Sequence, residues 1–310
     1  GRFGFYYQRE PFTAGSMTWP TSFPPITLLF LAIGIVSFLA FFFVEKSRLK
    51  QDKDVTLNFD LFRSRSFSAG NLVAFVVSLG EFGLLFTLPL FLELVGGYDL
   101  LQAGVILSAI ALGALIAALT GSFVCQHMGA KRTLQLGLAL EIIGIAGLGI
   151  TLTSTITGWE MAPWLVAYGV GIGYATGQLA SIILSGVSGH DSSVAGAFQS
   201  TSRQLGAALG TAVLGTTLVI GLGSAAETLE AKGVPTGQAQ EISQELQDSG
   251  GESISDLATE PGGVDLVQVA TGTFTTASKS VAWVVVVAIS AGLLVSFWIP
   301  KNAAREKQAG

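Results

Sequence analysis

The sequence predicts an all-α integral membrane protein, and three observations carry that prediction. Half of its 310 residues are hydrophobic and only 12% are charged, about half the charge of an ordinary soluble domain. Several apolar runs reach 18 residues or more, the length at which a helix crosses a bilayer. The Lys and Arg residues gather on one side of those runs, the pattern that orients membrane helices. The single Cys125 excludes an intrachain disulfide framework and a cysteine-based metal site, and His127 and His190 are too few for a metal cluster.

Taken in order, residues 1–24 read as an external entry segment, with Trp19 and Pro20 as an interfacial anchor ahead of the first span. The first span covers Pro25–Val44. A basic linker follows over 45–66. Six more spans are expected at Phe67–Leu92, Leu101–Val124, Thr133–Thr153, Pro163–Ser185, Ser193–Gly223 and Ser278–Ile299, and residues 300–310 form a tail. Residue 1 is Gly, and no signal-peptide pattern precedes the first apolar run, so the sequence reads as a fragment or a processed piece.

Charge chooses the sides. Lys46, Arg48, Lys50, Lys53, Arg63, Arg65, Lys131, Arg132, Lys301, Arg305 and Lys307 fall on one face of the seven-span array. The other face holds only Arg2, Arg9, Lys232 and Lys279. The positive side is cytoplasmic, which puts the N-terminal segment outside and the C-terminus inside a cell membrane. The long loop 224–277 is then external, with nine acidic residues against Lys232 alone. It is either a solvated loop or a cap that draws cations to the outer mouth. Within it, Gly237–Gln247 reads as a short surface helix that the glycines of Ser249–Glu252 break, and Val264–Ala277 reads as an outward extension of the last span.

Polar groups inside the spans are the candidate functional residues. Glu81 lies near the middle of the second span, where a carboxylate must be protonated, paired or facing water. It either binds a coupling proton or hydrogen-bonds a neighbouring helix, and Arg203, set at a shallower depth, is a candidate partner for it. Glu141 shares a face with Gly137 and Gly144, a surface built for close packing, which favours an interhelical hydrogen bond. In the sixth span Gly196, Gln199, Arg203, Gly206 and Gly210 share one stripe. Arg203 and Gln204 either face a polar interior or, for the arginine, snorkel to the headgroups. Tyr168, Tyr174 and Gln178 of the glycine-rich fifth span can line a cavity. No nucleophile–base pair, phosphate loop or metal cluster stands out, so the chain is not read as an enzyme and no cofactor is expected.

The run SVAGAFQSTSRQLGAALGTAVLGTTL resembles the penultimate helix of the fourteen-helix drug:proton antiporters of the major facilitator superfamily, the EmrB/QacA type, and FDLFRSRSFSAGNLVAF, LPLFLELVGGYDLLQAGVILSAIALGALIAAL and SFVCQHMGAKRTL resemble earlier stretches of the same family in chain order. The resemblance spans about Pro25–Pro300. It implies a C-terminal six-helix bundle over 67–299, preceded by one central transmembrane helix. It also implies that the N-terminal half, with its own motifs, is a partner not contained in this sequence. The superfamily's cytoplasmic loop motif is degenerate: Gln126 and His127 stand where an acid and a base are usual, before Gly129, Lys131 and Arg132. A mostly structural loop is expected there.

The function expected from this resemblance is proton-coupled efflux of drugs or other amphipathic organic compounds by alternating access, with small-molecule substrate, protons and lipid as partners. A permease for another solute (a siderophore, sugar or amino acid) and a non-transporting membrane protein are the alternatives.

Overall fold

The computed structural model describes residues 12–14, 17–19, 26–50, 59–189, 191–259 and 263–300. His190, the basic tail beyond Pro300 and most of the entry segment fall outside them. The chain forms two compact units, residues 1–58 and 59–310.

In the first unit β1 (Phe12–Ala14) pairs antiparallel with β2 (Met17–Trp19), Phe12 opposite Trp19. This small hairpin is the one departure from an all-helical fold among the described residues. Helix α1 follows over Ile26–Lys50, so the linker expected from residue 45 begins as helix. Its apolar stretch includes Leu28–Val44, within the roughly 17–25 residues that cross a bilayer as helix. Phe30, Ile33, Val36 and Phe43 on it are exposed.

The second unit holds six helices long and apolar enough to cross a membrane: α2 (Arg65–Leu94), α3 (Leu100–Met128), α4 (Ala130–Thr151), α5 (Gly158–Ser185), α6 (Ser192–Leu222) and, after two short helices, α9 (Gly263–Ser296). These are six of the seven expected spans, and the first, expected at Pro25–Val44, falls on α1. Helix starts follow capping chemistry. Asp99 Oδ1 accepts from the Gln102 amide at 2.8 Å while Gln102 Oε1 accepts from the Asp99 amide at 3.1 Å, a reciprocal box that opens α3. Glu160 accepts from the Thr157 amide at 2.8 Å and from its hydroxyl at 2.9 Å. That cap starts α5 five residues ahead of the expected Pro163, which falls inside the helix. A single residue, Gly129 at φ 80°, separates α3 from α4. Its left-handed conformation suits glycine.

Helix α5 packs on α4, α3 and α2; α2 packs on α6 and α9; and α9 closes the bundle against α4 and α6. Glycine sets these approaches. A Cβ on Gly206 or Gly210 of α6 would strike the carbonyl oxygens of Phe75 and Leu79 on α2, and Gly83 takes Leu214. Residue numbers rise together on both helices, so α2 and α6 are parallel. On α4 and α5 the pairs are Gly137 with Ala175, Glu141 with Gly171 and Gly144 with Tyr168, an antiparallel register. Such backbone contact replaces the hydrophobic drive that helices lack among lipid tails.

The segment between α6 and α9 is an ordered cap rather than a solvated loop. Helix α7 (Ala225–Ala231) and helix α8 (Thr236–Ser249) lead to two short 3-10 turns, Glu252–Ile254 and Asp256–Thr259. Gly250, at φ 66°, ends α8. The described acidic residues are exposed, while Leu229, Ile242, Leu246, Ile254 and Leu257 join the apolar core. The Ser243 hydroxyl donates to the Gly223 carbonyl at 3.1 Å and ties the cap to the end of α6. Helix α9 begins at Gly263, so Val264–Ala277 is the helical extension of the last span that the sequence suggests. Its Leu266, Val269, Ala270, Phe274 and Ala277 are buried at the 3.6-residue period of one helix face.

Candidate functional site

Two charged residues meet inside the bundle, and a second carboxyl group lies within their electrostatic reach. Arg203 Nη2 donates to Glu81 Oε2 at 3.2 Å, linking α6 to α2. The α2–α6 register sets the Arg203 backbone nearer the α6 start than Glu81 stands along α2, and the long arginine side chain spans the difference. The pair is unevenly wet, with 30% of the Arg203 side chain exposed against 6% for Glu81. Arg203 therefore points into the bundle to an acid rather than out to headgroups. Glu81 Oε1 has no hydrogen-bond partner among the described residues.

Glu141 is fully buried on α4, and both of its carboxyl oxygens lack a hydrogen-bond partner among the described residues. The expected interhelical hydrogen bond is not made. The reason is local: Glu141 faces Gly171, where an added Cβ would lie 2.7 Å from Glu141 Cγ and 2.6 Å from its backbone nitrogen. The opposing surface is glycine backbone already engaged in its own helix. Glu141, Glu81 and Arg203 are close enough to act on one another electrostatically. Tyr168, one turn along α5, is fully buried with its hydroxyl unpartnered. The hydroxyl of Ser78, one turn before Glu81 on α2, is also buried and unpartnered. Sequence reasoning did not single out Ser78, although its spacing of three from Glu81 is a helical-face signal.

The other candidates lie apart. Gln178 accepts from the Cys125 thiol at 3.2 Å, and the Tyr174 and Thr120 hydroxyls share a hydrogen bond of 2.7 Å. Both contacts hold α3 to α5. Gln199 is half-buried and Gln204 is exposed. On the α3–α4 turn, Lys131 donates to the carbonyl of Phe297 at 2.9 Å and to that of Ile299, which places a cation at the C-terminal end of α9. Gln126, His127 and Arg132 are exposed, and His127 Nδ1 lies 2.8 Å from the Phe123 carbonyl oxygen. An apolar groove of about 620 Å³, lined by Tyr98, Leu101, Val105, Ile106, Trp159 and Val166 among others, opens where α3 and α5 begin. None of the interior charges lines it. No group of three or more His, Cys, Asp or Glu residues among those described is placed to hold a metal ion.

Residues 11–211 match the sequence profile of the Major Facilitator Superfamily, well over half of the chain. The chain belongs to that superfamily. Its kinship is to transporters rather than enzymes, and its long apolar helices make it a multi-pass membrane protein. Among curated relatives it is similar to a tetracycline resistance determinant of Streptomyces rimosus, 28% identical over 68% of this chain and 60% of the relative. It is 28% identical to the riboflavin transporter RibZ of Clostridioides difficile strain 630, over 59% of this chain and 40% of the relative. A tetracenomycin C resistance and export protein of Streptomyces glaucescens is also 28% identical, over 61% of this chain and 34% of its own length. The chain thus spans between about a third and three fifths of the length of these relatives. Several further relatives of the superfamily type are resistance proteins by name, including the quinolone resistance protein NorB of Staphylococcus aureus at 29% identity.

Proposed function

We propose that residues 67–299 form the C-terminal bundle of a proton-coupled exporter of amphipathic organic compounds, set in the cell membrane with its C-terminus in the cytoplasm. One observation carries the coupling: the Glu81–Arg203 ion pair inside the bundle. A charge pair in apolar surroundings is costly to build and is kept where its making and breaking serve transport. Alternating access rocks two bundles around a midplane site. A pair joining two parallel helices within one bundle is suited to change as that site turns from one side to the other. The resistance and export proteins among the relatives support the substrate class and the outward direction. The first helix serves as a central span ahead of the bundle, and the N-terminal half completes the cavity. The energy source is the proton gradient, with no cofactor.

The test is efflux by the full-length protein in energised cells. Glu81→Gln keeps the shape and removes the titratable charge. It should lower proton-driven efflux about tenfold with protein abundance near normal, and cationic compounds should suffer most. Unchanged efflux and unchanged pH dependence for cationic and neutral compounds alike would make Glu81 structural.

The similarity to a riboflavin transporter favours a second reading, a permease for a small solute. Inverted vesicles separate the two. An exporter accumulates drug inside them on acidification of the lumen, whereas an uptake permease releases its solute.

A further inference from the structure

We propose that Glu141 is a proton-binding site in its own right, occupied in the conformation described here, with the Glu81–Arg203 pair as its neighbour. The proposal deepens the exporter reading and rests on it for the proton's purpose.

The argument begins with the count of charges. The interior cluster offers two carboxyl groups and one guanidinium, and Arg203 has given its contact to Glu81 at 3.2 Å. Glu141 is fully buried with neither oxygen hydrogen-bonded among the described residues. An ionised carboxylate in such a place has no counter-charge and no donor, and a buried group in that position takes up a proton instead.

Among the described residues the helices around it place no other cation against it. Helix α5 presents Gly171 to Glu141, and its titratable groups on either side are Tyr168, a neutral phenol, and Tyr174, engaged with Thr120. Helix α9 runs antiparallel to α4, with Gly149 beside Ala282 and Gln135 bonded to Ser296. That register brings the region of Ile289 opposite Glu141, where residues 286–294 hold no titratable group. Helix α3 meets α5 at this level through Ile110 and Gly113, again without one. Helices α2 and α6 contribute Glu81 and Arg203, whose charges act on Glu141.

Glycine packing explains why the site is dry and why it is specific. Gly137, Gly144 and Gly171 bring the α4 and α5 backbones together on both sides of Glu141, with added Cβ atoms 2.6–2.7 Å from the opposing backbone. The carboxyl group is closed off from the surface, and a proton is the smallest charge that can neutralise it there. Binding the proton gives one carboxylate to one guanidinium. Losing it breaks the O–H bond, leaves the electron pair on Glu141 and gives the proton to water admitted as the helices part. Two carboxylates then compete for Arg203, so the state of Glu141 bears directly on the Glu81 contact.

Infrared spectroscopy of the full-length protein reconstituted in lipid reads the proton without asking for transport. The wild-type protein should show a protonated-carboxyl carbonyl band at neutral pH that fades only on alkaline titration. The band should be lost in Glu141→Gln, retained in Glu81→Gln, and moved rather than lost in Glu141→Asp. The Asp variant and the wild-type titration keep the test decisive if the Gln variant fails to fold. A wild-type protein without such a band at neutral pH overturns the proposal, as does a band that survives Glu141→Gln or disappears with Glu81→Gln alone. Efflux indifferent to the proton gradient, in a protein that shows the Glu141 band as stated, removes the exporter reading and supports the proton site itself.

Discussion

Replacing Arg203 with Gln tests the interior ion pair most directly. At 3.2 Å the attraction between unit charges is about 5 kcal/mol at an effective dielectric of about 20, before the cost of desolvation is taken off. The two ends of the pair are not equivalent. Glu81 is nearly dry, whereas almost a third of the Arg203 side chain meets the surroundings. Arg203→Gln leaves a buried carboxylate without a partner, a defect worth about 3 kcal/mol. Glu81→Gln leaves a cation that can still reach solvent, and about 1 kcal/mol is expected. The double variant has no orphaned charge, so its loss should fall short of the sum of the single losses by about 1–2 kcal/mol. Protonating Glu81 relieves the defect in Arg203→Gln, so that variant's deficit should shrink as the pH is lowered, while the double variant's should not. Thermal unfolding in lipid nanodiscs, followed by tryptophan fluorescence at several pH values, measures all four proteins. Additive single losses, or a Glu81→Gln variant weaker than Arg203→Gln, would refute the reasoning.

Two further outcomes follow from the packing. Gly210→Ala drives a methyl into the Leu79 carbonyl and should cost about 1–3 kcal/mol, whereas Gly196, with nothing within 4 Å of an added Cβ, should accept Ala with no measurable change in melting temperature; equal effects would mean that the α2–α6 register is wrong. Lys131→Met removes the cation from the end of α9 and should destabilise by about 0.3–1 kcal/mol, with faster proteolysis near Trp298, while Arg132→Met, at an exposed residue, leaves the cleavage rate unchanged.

The sequence by itself determined the class of solvent this chain folds in and the positions of its helices. Apolar length forces a backbone to satisfy its own hydrogen bonds as helix, so α2 to α6 are legible from composition alone. The break after α8 is equally local, because the glycines at 250 and 251 both take positive φ. The glycine stripe on α6 announced a close helix neighbour, and the isolated Glu81, Glu141 and Arg203 announced themselves by their cost in lipid. Which of them meet was decided only by the tertiary structure. The Glu81–Arg203 contact depends on the parallel register that Gly206 and Gly210 set against Phe75 and Leu79, a relation between segments more than a hundred residues apart. Glu141 shows the same limit from the other side. Its neighbours Gly137 and Gly144 promised a tight interface, yet the surface that arrived opposite was Gly171, with no donor to offer. The cap was hidden for a different reason. Its acidic residues dominate the composition, while the few apolar side chains that seat it, Leu229, Ile242 and Leu246, acquire meaning only when α6 and α9 stand beneath them. Helix formation depends on neighbours three and four residues away. Pairing of charges and burial of sparse apolar faces depend on which helices the chain brings together, and that is settled by close packing across the whole bundle.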